Sequence, residues 1–256
     1  MQKALKLLEI IKNEYIKILN DNLIGIYIHG SLAFKCFNWE KSDIDFLVII
    51  KNDIQLNEKE QLIKILLDND KNSPKKGFEM SVILEKNCIN FIYPTPYILH
   101  YSNSYKEEFK NNLSFLCEKL NGNDFDLASH FTILKKFGFC IFGKNINEVF
   151  GDVNEEYYFK SILFDIENAD KEIFENPVYF ILNLCRVYAF IKEKLILSKE
   201  NGGLWGLKNL PEKYFNIINL SIKNYKNEIQ DDLKDKKYEN ILFEFAYYLK
   251  QLIFNN

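Results

Sequence analysis

The chain reads as an α+β domain, a mixed sheet flanked by helices, over residues 1–150, followed by an all-α helical-bundle domain over 151–256. Three observations predict this. Before residue 151, short apolar runs with a period of two, rich in β-branched and aromatic residues, alternate with helical segments. After about Glu155 only helical periodicity remains. Pro177 and Pro211 fall where helices would begin, positions at which a missing N–H costs nothing. A chain of 256 residues has ample length for two modest cores.

The elements follow in order. MQKALKLLEIIKNEYIKIL is an amphipathic helix carrying Glu9 and Glu14, unlike a signal peptide. Residues 24–28 form an apolar strand ended by Gly30-Ser31, and Ile44–Ile50 form a second strand. A polar helix over 57–67 and a turn over 68–77 lead to FEMSVIL, an alternating strand with Glu79, Ser81 and Ile83 on one face and Phe78, Met80 and Val82 on the other. Tyr93-Pro94-Thr95-Pro96 is an extended turn, because each proline restrains itself and its predecessor. Residues 97–120 alternate helix and loop, 126–137 form a helix capped by Asp124 or Asp126 and stopped at Gly138, and FGFCIFG is a short buried strand. The second half is predicted as helices over 155–174, 177–197, 211–224 and 237–254.

Composition narrows the function. Net charge is −3 and no basic cluster runs along the chain, so the electrostatic footprint of a nucleic-acid binder is missing and a small-molecule partner is favoured. No apolar run is long enough to span a bilayer. A cytoplasmic monomer is expected, with no membrane or nucleic-acid partner. The 5 cysteines are odd in number and lack CxxC spacing, which suits reduced thiols. Arg186 is the only arginine among 33 basic residues, so either chance or a need for a planar, bidentate fork keeps it there.

The stretch IHGSLAFKCFNWEKSDIDFLVII carries the chemistry. Side chains alternate on a strand, so Asp43 and Asp45 share a face, and their mutual repulsion is relieved by a divalent cation. Gly30 lets backbone pass close to a phosphate, and Ser31 offers a hydroxyl and an N–H where a helix could begin. A third strand beside these would bring Glu79 toward the pair.

Strand, Gly-Ser, connection and a second strand opening Ser42-Asp43-Ile44-Asp45 is similar to the signature of the nucleotidyltransferase superfamily related to DNA polymerase β, except that Lys35 stands where glycine is frequent. With FEMSVIL and the later NLCRVYAFIKEKLILSKENGGLWGLKNLPEKY, the whole chain resembles the bacterial aminoglycoside adenylyltransferases that inactivate streptomycin and spectinomycin, an α+β nucleotidyltransferase domain followed by a helical one.

The resemblance implies that Asp43 and Asp45, with Glu79 beside them, bind two Mg2+ ions, that Glu79 is the catalytic base, and that ATP is the co-substrate. Gly30, Ser31 and Ser42 would contact the nucleotide from the first domain; Arg186, Lys199 and Tyr225 would reach it from the helical one. Neighbouring carboxylates are expected to raise the Glu79 pKa when metal is absent. A cationic acceptor would lie in the interdomain cleft, its amines paired with Glu167, Asp170 or Glu172. Glu167 falls where streptomycin-modifying members place a tryptophan, so spectinomycin is favoured. Adenylylation of another small molecule, or of a protein by an antitoxin-like regulator, is the alternative; a nucleotide-binding module without catalysis is disfavoured by the intact carboxylate set.

Other readings are plainer. Outside the family Lys199 is a solvated lysine at a helix end, and Tyr225 and Trp205 pack. His29 is structural on its apolar strand, while His100 and His130 have no metal-like partner at helical spacing.

Overall fold

The computed structural model of the chain describes residues 1–229 and 233–255. It forms two compact units, Met1–Tyr158 and Phe159–Asn256.

The first unit is built on a five-stranded mixed sheet. In chain order it contains α1 (Gln2–Leu19), β1 (Leu23–Ile28), α2 (Gly30–Ala33), β2 (Ile44–Ile50), α3 (Leu56–Asp68), β3 (Phe78–Leu84), α4 (Glu85–Ile89), β4 (Thr95–Tyr97), β5 (Leu99–Ser102), α5 (Lys106–Asn111), α6 (Leu113–Lys119), β6 (Gly122–Asp124), α7 (Leu127–Phe137), β7 (Phe139–Gly143) and α8 (Ile146–Val149). The strand order is β5-β3-β2-β1-β7, and β4 pairs with β6 in a separate ribbon. Only β2 and β3 run parallel; β1 with β2, β1 with β7 and β3 with β5 are antiparallel.

The period-two pattern splits this sheet into two faces. Ile44, Phe46, Val48 and Ile50 of β2 join Phe78, Met80 and Val82 of β3 in a core with Leu7, Leu8, Ile11 and Tyr15 of α1 and Leu62, Ile63 and Leu66 of α3. Leu47, Ile49 and Ile83 face the other way, against Leu127, Phe131 and Leu134 of α7. Each fully buried side chain of this kind contributes about 1.5–3 kcal/mol, so a one-residue slip of β2 is strongly disfavoured. Asp45 and Glu79 have the parity of the second face and are thereby aimed toward α7.

Several expectations are corrected. Residues 97–120, read as helix and loop, also contain β5, and β6 follows just after them. Only a few residues long, they leave no periodicity to read, and it is pairing with β3 and β4 that makes them strands. The run FGFCIFG is an edge strand, half-buried rather than buried, because only β1 pairs with it. Lys35 takes a left-handed φ of 59°, a conformation that favours glycine.

The second unit is helical, with α9 (Glu155–Phe164) running into it, followed by α10 (Ala169–Glu172), α11 (Pro177–Glu193), α12 (Lys199–Asn209), α13 (Phe215–Tyr225) and α14 (Glu239–Phe254). The helix expected over 155–174 is broken, since FDIENAD supplies turn-forming Asp and Asn and Asp165 bonds elsewhere. The helix expected to run to 197 ends at Glu193 on left-handed Lys194, and α12 was not foreseen. Its glycines argue against a helix by propensity, yet they let it approach α11: a Cβ on Gly202 would lie 2.7 Å from Arg186 Cβ, and one on Gly206 2.7 Å from Cys185 Sγ. Close packing overrode propensity. All five cysteines are free thiols, and among the described residues no helix is long and apolar enough to cross a membrane.

Candidate functional site

Backbone pairing assembles the site in the first unit. The parallel register places Asp45 directly beside Glu79. Asp43 precedes β2, and one oxygen each of Asp43, Asp45 and Glu79 lie within 4.8 Å of one another. Three carboxylates with no nitrogen or sulfur among them form a hard-oxygen donor set, suited to Mg2+ rather than zinc.

The end of β1 completes the arrangement. His29 N donates to Asp45 O at 3.2 Å, which brings the Gly30 turn against the carboxylate. Gly30 has φ of +59°, and a Cβ there would fall 1.9 Å from Asp45 Oδ2, so conformation and space both require glycine. Ser31 Oγ is buried without a hydrogen-bond partner among the described residues, an orphan polar atom suited to a phosphate oxygen. The Ser42 hydroxyl is engaged within its own loop, accepting from Asn38 N at 3.1 Å.

Electrostatics single out Glu79. Burial, then reinforcement by Asp43, Asp126 and Asp124 against the opposing charge of His130, pushes its carboxyl up to about 7. Burial therefore leads, where neighbouring carboxylates were expected to. His130 also corrects the sequence reading. It sits on α7 four residues after Asp126, its Nε2 lies 3.2 Å from Asp126 Oδ2 and 3.8 Å from Glu79 Oε1, and its ring lies 4.4 Å from that of His29. Burial lowers its pKa, but Asp126 and Glu79 outweigh that and raise it to about 10. The i,i+4 spacing of Asp126 and His130 was the available signal. Its relation to Glu79 was not, since it depends on α7 crossing β3.

In the second unit, Arg186 and Lys199 gather around two residues the sequence did not single out. Arg186 Nη2 donates to Asp165 Oδ2, Tyr179 OH donates to Asp165 Oδ1 at 2.7 Å, and Lys199 Nζ lies 4.7 Å over the Tyr179 ring. Lys199 is the first residue of α12, after the Ser198 cap, and so lies at the helix end that disfavours a cation. Tyr225 is half-buried at the end of α13. Asp170 is paired with Lys250, which also donates to Glu167 O at 2.8 Å. The Glu167 and Glu172 side chains are exposed. Trp205 packs as expected, edge-on to Tyr188 with Nε1 donating to Glu193 at 2.9 Å.

Comparison with known proteins bears on both units. Residues 13–94 match the polymerase beta nucleotidyltransferase family, and residues 148–251 match the C-terminal domain family of the aminoglycoside adenylyltransferases. No curated protein matches the chain in sequence. Among solved structures, the spectinomycin adenyltransferase AAD(9) from Enterococcus faecialis, crystallised with ATP and spectinomycin, superposes with a TM-score of 0.81 at 20% identity, covering 96% of this chain and 98% of that one. At that identity the likeness speaks for the fold.

Proposed function

We propose, from the match of residues 13–94 to the polymerase beta nucleotidyltransferase family and of residues 148–251 to the C-terminal domain family of the aminoglycoside adenylyltransferases, that the chain is a nucleotidyltransferase of that type, transferring AMP from ATP to a hydroxyl of an aminoglycoside-type antibiotic, spectinomycin rather than streptomycin, in a magnesium-dependent reaction that confers resistance. The observation that carries the reading is the β2–β3 register, which sets Asp45 beside Glu79 with Asp43 in reach and Gly30-Ser31 against the pair.

The residues divide the work. Asp43 and Asp45, with Glu79 at their side, would hold Mg2+, which when bound neutralises phosphate charge and aligns the α-phosphate for in-line displacement. Gly30 and Ser31 would cradle the phosphates, Gly30 by close approach and Ser31 through its N–H and orphan hydroxyl. Glu79 would accept the acceptor hydroxyl's proton as oxygen attacks phosphorus and pyrophosphate departs. Arg186 and Lys199 would neutralise the triphosphate, Arg186 exchanging Asp165 for phosphate oxygens, with Tyr225 at the nucleotide. Asp170 is already paired with Lys250, so of the three acidic residues Glu167 and Glu172, whose side chains are exposed, would meet an acceptor amine.

Incubation with labelled ATP, Mg2+ and a panel of aminoglycosides, followed by mass measurement, tests the reading. One AMP added to spectinomycin and none to streptomycin is expected. Efficient modification of streptomycin would refute the preference; no modified aminoglycoside at all would refute the function.

A further inference from the structure

The first unit holds a cavity of about 530 Å3 next to the carboxylates, its lining including Glu40, Asp43, Lys75, Lys76, Glu79 and Asn103. None of Glu40, Lys75, Lys76 or Asn103 has a part in the site so far described. The cavity's position in the sheet matters. Gly30-Ser31 follow β1, on one side of β2, whereas Glu79 on β3 and Asn103 just after β5 lie on the other, in the order β5-β3-β2-β1. In-line displacement puts the entering and leaving oxygens on opposite sides of phosphorus. With the leaving phosphates at Gly30-Ser31, the acceptor hydroxyl enters from the β3–β5 side, where this cavity is.

Its walls are built rather than loose. Glu40 N donates to Asn38 Oδ1 at 2.9 Å and Ser42 N to Asn38 O at 2.8 Å, which sets the loop carrying Glu40. Lys75 N bonds Trp39 O at 3.4 Å, tying the lysine turn to the same loop, and Gly77 O receives Ile44 N at 3.0 Å. Asn103 Oδ1 is buried with no hydrogen-bond partner among the described residues, leaving an acceptor for a ligand N–H or O–H. The charge pattern is mixed: the lining carries carboxylates from Glu40, Asp43 and Glu79 and a lysine pair.

We propose that Glu40 and the Lys75-Lys76 pair set acceptor specificity in this cavity: Glu40 pairs with an acceptor ammonium, and the lysines turn away acceptors of higher positive charge, such as those bearing guanidinium groups. The inference rests on the aminoglycoside adenylyltransferase reading and adds to it a discriminating surface within the first unit. Like charges brought together repel, so a compound with guanidinium groups as well as amines is disfavoured against one carrying only amines.

Steady-state kinetics on the full chain, with spectinomycin and streptomycin as acceptors, tests this alongside calorimetric titration with spectinomycin. Glu40→Gln is expected to raise the spectinomycin KM about tenfold and weaken its calorimetric affinity equally, with kcat and the ATP KM little changed and Glu40→Asp recovering part of the loss. The double variant Lys75→Glu with Lys76→Glu is expected to raise kcat/KM for streptomycin relative to spectinomycin about tenfold. If the wild type modifies spectinomycin and both variants keep its KM and its acceptor ratio, the inference is overturned while the function stands. If the wild type modifies no aminoglycoside, the function reading falls and takes the inference with it.

Discussion

The two charged centres of this molecule are made in different ways. In the first unit the carboxylates are held by backbone: a parallel ladder sets Asp45 beside Glu79, and the close approach of Gly30 fixes the turn against them. In the second, Arg186 and Lys199 are held by side chains, through Asp165 and Tyr179. In the first centre burial, reinforced by neighbouring carboxylates, raises Glu79 to about 7, whereas the second has neutralised its arginine internally. A centre fixed by backbone cannot rearrange cheaply, so a cation would be needed to relieve its charge; one held by side chains would be able to trade partners when an anion arrives.

Breaking the first centre should have the largest effect. Asp43→Asn and Asp45→Asn each remove a ligand charge and are expected to lower the transfer rate by several kcal/mol, about a hundredfold or more, with folding intact by circular dichroism. A rate above about a tenth of wild type in both variants would remove the metal assignment.

Next comes Glu79→Gln, which keeps shape and ATP binding but loses proton acceptance, so turnover should fall about 10²-fold or more in single-turnover assays. The same variant has a signature in stability. The Glu79 pKa is raised in the folded state, so its contribution is fully present below the ordinary glutamate value and is lost as pH rises through about 7. Denaturant midpoints taken in chelator should therefore decline across that window in wild type and decline less in Glu79→Gln; parallel curves would show that Glu79 is not perturbed.

Arg186→Lys sharpens the comparison in the second centre. It keeps charge but loses the fork, so ATP affinity measured by calorimetry should weaken by about 1–3 kcal/mol, with the stabilisation that ATP confers shrinking in step. Unchanged affinity would make the Asp165 pair purely structural.

The smallest effect is expected from Asp170→Asn. Its partner Lys250 is on the surface side of α14 and the pair is solvent-accessible, so stability should change by less than about 1 kcal/mol and the acceptor KM should hold. A large rise in acceptor KM would return Asp170 to the substrate site.

Local pattern in the sequence determined the strand that begins after Asp43, the Gly-Ser turn, the α+β then all-α order and the helix start at Pro177, because periodicity and turn chemistry act between near neighbours in the chain; Asp43 itself lies just outside β2, and Pro211 leads only a short 3-10 turn before α13. Tertiary structure alone decided the rest. That Glu79 stands opposite Asp45 depends on strand register; that burial leads its pKa shift and that His130 reaches it depend on α7 covering that face. Helix α12 formed despite its glycines because α11 needed their closeness, and Arg186 found Asp165 across a broken helix. Each of these joins segments far apart in sequence, and such contacts are selected by packing of the whole unit, which no short window of residues encodes.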